Sequence, residues 1–321
     1  MQGYNDKAHR QAERRPCAAT GYKSVADTKG DSGMKDLFGN IDEEGMYQMA
    51  IAVPLAEKIE SAIMLIRSLE NQAAQLSEDG FYVCFSGGKD SIVMAKLFEM
   101  AGVKYRLHYN NVTIDPPELV QFIKREYPQT EWHSVGTPLP LYMAKKSNGP
   151  PTRLARWCCE IYKEQGGSGF FKAIGVRAEE SPRRKGLWKQ VTNNRNTGLI
   201  LCPILYWTER DIWQFIRDNE MKYCSLYDEG FKRLGCIGCP MGGKDQQRRD
   251  FLRWPKHEKL WKRGFAAYWA AWKGVPRLRV NKQGNLDRWI ERMDTVDDLW
   301  NWWISGKADE GDAPDCQGYL W

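Results

Sequence analysis

Ser86-Gly87-Gly88-Lys89-Asp90-Ser91 follows directly on the apolar run Phe81-Tyr82-Val83-Cys84-Phe85. Glycines let backbone N–H groups approach an anion closely. Ser86 and Ser91 add hydroxyl donors, and Lys89 adds a cation. Gripping a phosphate is the chemistry that suits these types at this spacing. The spacing differs from G-x-x-x-x-G-K-[ST], in which a longer loop precedes the lysine. A second reactive set is made of thiols. Cys158 and Cys159 are adjacent, and Cys236 and Cys239 stand as C-x-x-C in Gly235-Cys236-Ile237-Gly238-Cys239-Pro240.

The elements that must position the first set are legible around it. Residues 81–85 read as a buried strand. Ile92, Val93, Met94, Leu97 and Phe98 then keep a helical period, which predicts a helix over 90–101. The turn therefore feeds a helix N-terminus, whose positive end favours anions. Strands are expected at 104–109, 131–134, 171–176 and 199–204. A helix opens at Pro116-Pro117 and runs to Glu126. Another, 209–219, is capped by Thr208 and carries Glu209 and Asp211 in its first turn. Strands alternating with helices predict an α/β fold: a doubly wound, mostly parallel sheet with helices on both faces. Ligands of such sheets bind at the carboxyl ends of the strands, where the glycine turn falls.

Around this core the sequence divides three ways. Residues 1–46 are polar and non-periodic and predict a flexible arm. Residues 47–245 hold the phosphate turn and the paired cysteines, beginning with an amphipathic helix over 47–77 that Pro54 breaks. Residues 246–321 predict a tryptophan-rich helical region, with Trp261, Phe265, Tyr268, Trp269 and Trp272 on helical spacing.

The chain has 321 residues, 42% hydrophobic content and a net charge of +6. This describes a globular protein without a membrane span. The polar N-terminus lacks the shape of a signal peptide, so a cytoplasmic location is expected. The mild positive charge permits an anionic ligand or a nucleic acid without demanding either. Basic residues concentrate at 248–263, from Arg248 to Arg263, interleaved with Phe251, Trp254 and Trp261. The interleaving fits a solvated helix with its apolar stripe in the core, or a DNA-binding face. Nine cysteines without a secretion signal argue against a disulfide framework. The two pairs suit a [4Fe–4S] cluster held by four thiolates. Zinc, a redox pair at 236 and 239, or four buried inert thiols are the alternatives.

With both sets placed, the chain resembles the phosphoadenosine phosphosulfate (PAPS) reductase family, within the PP-loop adenine nucleotide α-hydrolase-like group. The resemblance covers about 80–245. It rests on Ser86–Ser91, Arg156-Trp157-Cys158-Cys159, Gly175-Val176-Arg177-Ala178-Glu179-Glu180-Ser181 and Gly235–Pro240. It implies an adenine nucleotide at Ser86, Gly87, Gly88, Lys89, Asp90, Ser91, Gly175 and Arg177. It also implies a cluster on Cys158, Cys159, Cys236 and Cys239. Lys89, Asp90 and Arg177 become the expected catalytic group: Asp90 as a Mg²⁺ ligand or a plain helix cap, Arg177 and Lys89 as phosphate clamps. Asp115 is expected at ribose or metal, or as a cap. Arg153 and Arg156 either face an anionic substrate or are solvated.

Two departures from the reductases matter. The sequence ends Asp315-Cys316-Gln317-Gly318-Tyr319-Leu320-Trp321, without the reductases' Glu-Cys-Gly-x-His, so Cys316 follows an acid but lacks the rest of the reductase tail. The Gly-Gly-Lys-Asp core is intact, as in the ATP pyrophosphatases of DNA phosphorothioation. The reading is an ATP pyrophosphatase that adenylates an acceptor, DNA or tRNA among the candidates, for sulfur transfer. Its partners would include a cysteine desulfurase or a thioredoxin-type donor. The alternatives are a thiol-dependent reductase of adenylyl sulfate or PAPS, and a non-catalytic nucleotide- and DNA-binding partner.

Overall fold

A computed structural model describes residues 43–147, 149–194, 198–275 and 293–306. Most of the expected N-terminal arm, Cys17, Trp289 and Cys316 lie outside the described residues. From Glu44 onward the chain forms one compact unit.

Helices α1 (Glu43–Ala52), α2 (Leu55–Ser68) and α3 (Glu70–Leu76) lead in. Pro54 interrupts the helical period between the first two, and Leu69 marks the second break. Then come β1 (Phe81–Cys84), α4 (Lys89–Ala101), β2 (Tyr105–Asn111), α5 (Pro117–Glu126) and β3 (Glu131–Ser134). A short α6 (Leu139–Tyr142) follows, and α7 (Trp157–Cys159) runs into a π-helical turn, Glu160–Glu164. The sheet resumes with β4 (Lys172–Ala173). After α8 (Pro182–Leu187) come β5 (Val191–Asn194), β6 (Gly198–Leu201) and α9 (Glu209–Asp218). Among the described residues three helices follow: α10 (Gly243–Arg253), α11 (Pro255–Trp272) and α12 (Val296–Ile304).

The six strands are ordered β3-β2-β1-β4-β6-β5. All neighbours are parallel except β5 against β6. Helices cover both faces, so the fold is the doubly wound α/β class. The chain reverses its winding between β1 and β4, which opens a crevice beyond their carboxyl ends.

Two expected strands are shorter than the sequence suggested, and one strand was not expected. The run 171–176 contributes only Lys172–Ala173 to the ladder. Ile174 N–H still donates to Leu201 O at 2.9 Å, and the backbone then leaves the sheet to line the crevice. The run 199–204 contributes Gly198–Leu201. Val191–Asn194, outside the expected strands, pairs antiparallel with β6 as a sheet edge.

The larger of two core clusters joins the sheet to the C-terminal helices. It includes Phe81, Phe98, Phe171, Trp261, Phe265, Tyr268, Trp300 and Trp303. The aromatics of 248–263 are therefore core: Phe251, Trp254 and Trp261 are buried, while Arg248, Arg249, Lys256, Lys259 and Arg263 are exposed. Around α9, Thr208 and Asp211 form a reciprocal cap, Thr208 accepting from Asp211 N–H. Asp211 also accepts from the buried Lys58 ammonium at 2.6 Å. Burial alone would raise the Asp211 carboxyl, but the Lys58 and Thr208 hydrogen bonds more than offset it and hold it low.

A carboxylate held low contributes stability that is present above its unfolded value and lost as pH falls through its folded value. Asp211→Asn should cost about 2 kcal/mol at pH 7, because the buried Lys58 keeps only a neutral acceptor. The gap from wild type should narrow below about pH 4, where the unfolded carboxyl takes up its proton, and should close once pH falls through the lower folded value. Denaturant titrations at pH 7 and pH 3.5 check this; an equal gap at both would refute the assignment.

Candidate functional site

The glycine turn is built from its own donors and acceptors. Gly87 has φ +70°, and a Cβ there would lie 2.6 Å from Ile123 Cγ1. Only glycine suits both the backbone and the space. Ser91 Oγ donates to Gly88 O at 2.9 Å and accepts from Ser86 N–H at 3.3 Å, which closes the turn from inside. Gly88 then caps α4 without a side-chain partner, so the helix presents its N-terminus directly. Lys89 N–H donates to the Tyr227 hydroxyl at 2.8 Å, and Lys89 Nζ donates to Lys232 O at 3.0 Å.

The turn opens into a cleft of about 580 Å³, walled by Ser86–Ser91 after β1 and by 175–180 after β4. Gly175 lets the two walls meet: a Cβ there would lie 3.4 Å from the Asp90 backbone. Arg177 crosses the gap. Its Nε donates to Asp90 Oδ1 at 2.6 Å, and its Nη1 reaches Glu179. Burial alone would lower the Arg177 guanidinium, but Asp90 and Glu179 outweigh it and raise it. Lys89 stands 3.7 Å from Asp90 and 3.8 Å from Glu209, and Arg184 pairs with Glu180. The cations and carboxylates of the cleft thus neutralise one another. Asp90 is a first-turn residue committed to Arg177, not a helix cap.

The four cysteines surround a second, much smaller cavity of about 20 Å³. Cys158 and Cys159 enter from α7. Cys236 and Cys239 enter from a loop whose Ile237 N–H donates to Ile114 O at 2.8 Å. Lys163 and Trp261 complete the wall. Among the described residues, no three of these sulfurs fall within 4.8 Å of one another. The Cys158 hydrogen bond, then Lys163 and Arg156, hold the Cys159 thiol below the ordinary thiol range against burial. The same bond and burial push Cys158 up. Burial raises Cys236 and Cys239. The set offers four soft donors to a metal centre.

Structure brings most of the expected residues together and separates one. Ser86, Gly88, Lys89, Asp90, Ser91, Gly175 and Arg177 line the cleft. Gly87 lies in its turn, packed against Ile123. Asp115 does not line it. The carboxylate is buried, accepts from Tyr109 Oη at 2.5 Å and acts electrostatically on Cys236 and Lys163. It therefore belongs with the cysteines, claimed by Tyr109 rather than by ribose or a cleft metal. Arg153 donates to Met241 O at 3.3 Å, and Arg156 to Cys159 Sγ at 3.5 Å, so both belong to the cysteine loops. Tyr227, Lys232 and Glu209 escaped sequence reasoning, because they reach the turn from distant segments. Glu179 and Glu180 lay inside a noted motif but without a role.

A doubly wound α/β sheet with a glycine anion turn at its winding reversal defines the class. Residues 80–241, half of the chain, match the phosphoadenosine phosphosulfate reductase domain, and the chain belongs to that family. Two uncharacterized proteins of Methanocaldococcus jannaschii are 27% and 28% identical to it, each over 68% of this chain. They are longer, and the chain spans about half their length (45% and 56%). An adenosine 5′-phosphosulfate reductase of Staphylococcus epidermidis is 26% identical, over 58% of this chain and 81% of its own. Among solved structures, the PAPS reductase of Candida auris in its phosphate complex aligns at TM-score 0.40 and 13% identity. That alignment covers 64% of this chain and 98% of the other.

Gly87→Ala combines positive φ with a 2.6 Å contact to Ile123. It should cost about 1–3 kcal/mol of stability. It should also weaken pyrophosphate or nucleotide binding by at least tenfold. Calorimetric titration with a thermal melt checks both; wild-type affinity in the variant would show that the turn does not hold the anion.

Proposed function

We propose that this chain binds ATP with Mg²⁺ in the β1–α4 cleft and cleaves it between the α and β phosphates to adenylate an acceptor for sulfur transfer. The observation that carries this reading is the intact turn, Ser86 to Ser91, opening into a cleft rich in both cations and carboxylates. A diphosphate leaving group needs donors, and a bound Mg²⁺ needs oxygen ligands. The backbone at Gly87 and Gly88, with Ser86 and Lys89, would stabilise charge on the departing pyrophosphate. Arg177 would exchange Asp90 for a phosphate oxygen, bidentately. Asp90, so released, would be free to hold Mg²⁺. An acceptor oxygen attacks the α-phosphorus, the bond to the bridging oxygen breaks, and pyrophosphate leaves. The terminal sulfur of a persulfide donor then displaces AMP, and a thiol reductant splits the resulting disulfide, so sulfur takes the place of the acceptor oxygen.

Cys158, Cys159, Cys236 and Cys239 would hold a [4Fe–4S] cluster. Their chemistry and spacing support this over zinc: structural zinc usually takes two spaced pairs, whereas Cys158 and Cys159 are adjacent. A cube offers a separate iron to each thiolate. The cluster would supply redox-active or sulfur-binding iron beside the cleft's sheet. Exposed Arg248, Arg249, Lys256 and Lys259 favour a nucleic acid, DNA or tRNA, as the acceptor.

The curated adenosine 5′-phosphosulfate reductases favour a second reading, reduction of adenylyl sulfate or PAPS to sulfite with Cys316 as the attacking thiol.

Labelled ATP and anaerobically purified protein separate the two. The first reading expects pyrophosphate release that Lys89→Ala lowers by about a hundredfold or more, and iron and sulfide near four each per chain. Absence of release with nucleic acid and a sulfur donor present would overturn it. Sulfite formation lost in Cys316→Ser would instead establish the reductase.

A further inference from the structure

His108 on β2 and His133 on β3 lie 25 positions apart, yet the parallel register brings them to one place. His108 pairs with Glu131 across the ladder, and Asn110 pairs with His133. His108 Nδ1 lies 3.0 Å from His133 Nε2 and 3.4 Å from Glu131 Oε2. One ligand atom from each of the three residues falls within 4.8 Å of the others. None of the three lines the cysteine cavity or the nucleotide cleft.

The first two ligands are held by neighbours. His108 is 8% exposed, and its ring stacks face to face on Tyr82 at 3.6 Å with 2° between the planes. Arg106 donates to Glu131 Oε1 at 3.0 Å, leaving Oε2 toward His108. The Arg106 charge is shared with Asp79 at 2.8 Å. With neutral imidazoles the cluster keeps one net negative charge. Outer contacts of this kind fix ring orientation and carboxylate geometry at metal centres.

We propose that His108, Glu131 and His133 bind a divalent transition metal of the zinc class, at a site separate from the four cysteines. Two imidazoles and one carboxylate are a borderline donor set that suits Zn²⁺ or Co²⁺ rather than Mg²⁺. Zn–N bonds of about 2.0–2.1 Å place two tetrahedral nitrogens ~3.3 Å apart, close to the spacing found here. His133 is exposed, so the ion has an entry path, and water fills the remaining position. The metal ties the edge strand β3 to β2 and leaves one position open to solvent.

Untagged full-length protein, stripped with chelator, is titrated with Co²⁺ and Zn²⁺. Wild type should take up one equivalent with the visible absorption of a low-symmetry Co²⁺ site, and should gain thermal stability with Zn²⁺. His133→Gln, exposed and conservative in size, should weaken uptake by about a hundredfold or more, above the cost of losing an outer contact. The Cys158→Ser/Cys236→Ser double variant should retain it. Uptake that is unchanged in His133→Gln, or absent from wild type, overturns the proposal and leaves a hydrogen-bonded histidine pair. Uptake lost only with the cysteines assigns the ion to their cavity instead.

Discussion

The Arg177–Asp90 ion pair joins the two walls of the cleft, and the site geometry depends on it. It links the loop after β4 to the first turn of the helix after β1, across the reversal in strand order. A buried guanidinium cannot be left without a counter-ion. The first turn of α4 must therefore carry a carboxylate, and the backbone at Gly175 must come close enough to meet it. The same constraint governs the other cations. Lys89 is buried between Asp90, Glu209 and a backbone carbonyl. Any anion entering the cleft would have to compete with carboxylates for these cations.

The cysteine cavity obeys a different constraint. Its thiols come from two loops far apart in the chain, and each loop is tied to the sheet or to a buried ring. Trp157 is anchored by its indole N–H to Gly149 O at 3.1 Å. The C-x-x-C loop hangs from Ile114 through Ile237. Lys163, which Cys236 foremost among its neighbours pushes up, places a cation among the sulfurs of the cavity. Asp115 and Tyr109 back this lysine from the sheet side. That is why Asp115, next to the β2–α5 turn, serves the thiols and not the nucleotide cleft.

How far the sequence could be read follows from whether the evidence was local. Phe81–Cys84, the glycine turn and α4 are contiguous, and each has its own period or conformational signature; all were legible. Thr208 and Asp211, three apart, announced the start of α9. The strand Val191–Asn194 was not legible, because only its pairing with β6, across a short hairpin, makes its asparagines extended. The length of β4 was not legible either, since Ile174–Arg177 is apolar enough for a strand and leaves the sheet only to wall the cleft. Tyr227 over Lys89, and His108 beside His133, depend on contacts between residues far apart in sequence. No spacing rule finds them before the register is known.

The tryptophan-rich end of the chain has a purpose once the C-x-x-C loop is considered. Gly238 has φ +73°, and a Cβ there would lie 2.4 Å from the Phe251 ring. Its N–H donates to Asp250 Oδ2 at 2.9 Å, and its carbonyl accepts from Gln247 at 3.0 Å. Trp261 Nε1 donates to Ile237 O at 3.0 Å. Trp303 Nε1 donates to Pro151 O at 2.7 Å, on the approach to Cys158. Helices α10 to α12 therefore supply apolar packing together with the polar groups that two irregular loops need when buried. An alanine-rich tail would fill part of the volume but leave those carbonyls unpaired. Large aromatics with an N–H at the rim meet both demands at once, which accounts for their concentration after Pro240 better than a nucleic-acid face does. The exposed lysines and arginines between them then serve a surface the core leaves free.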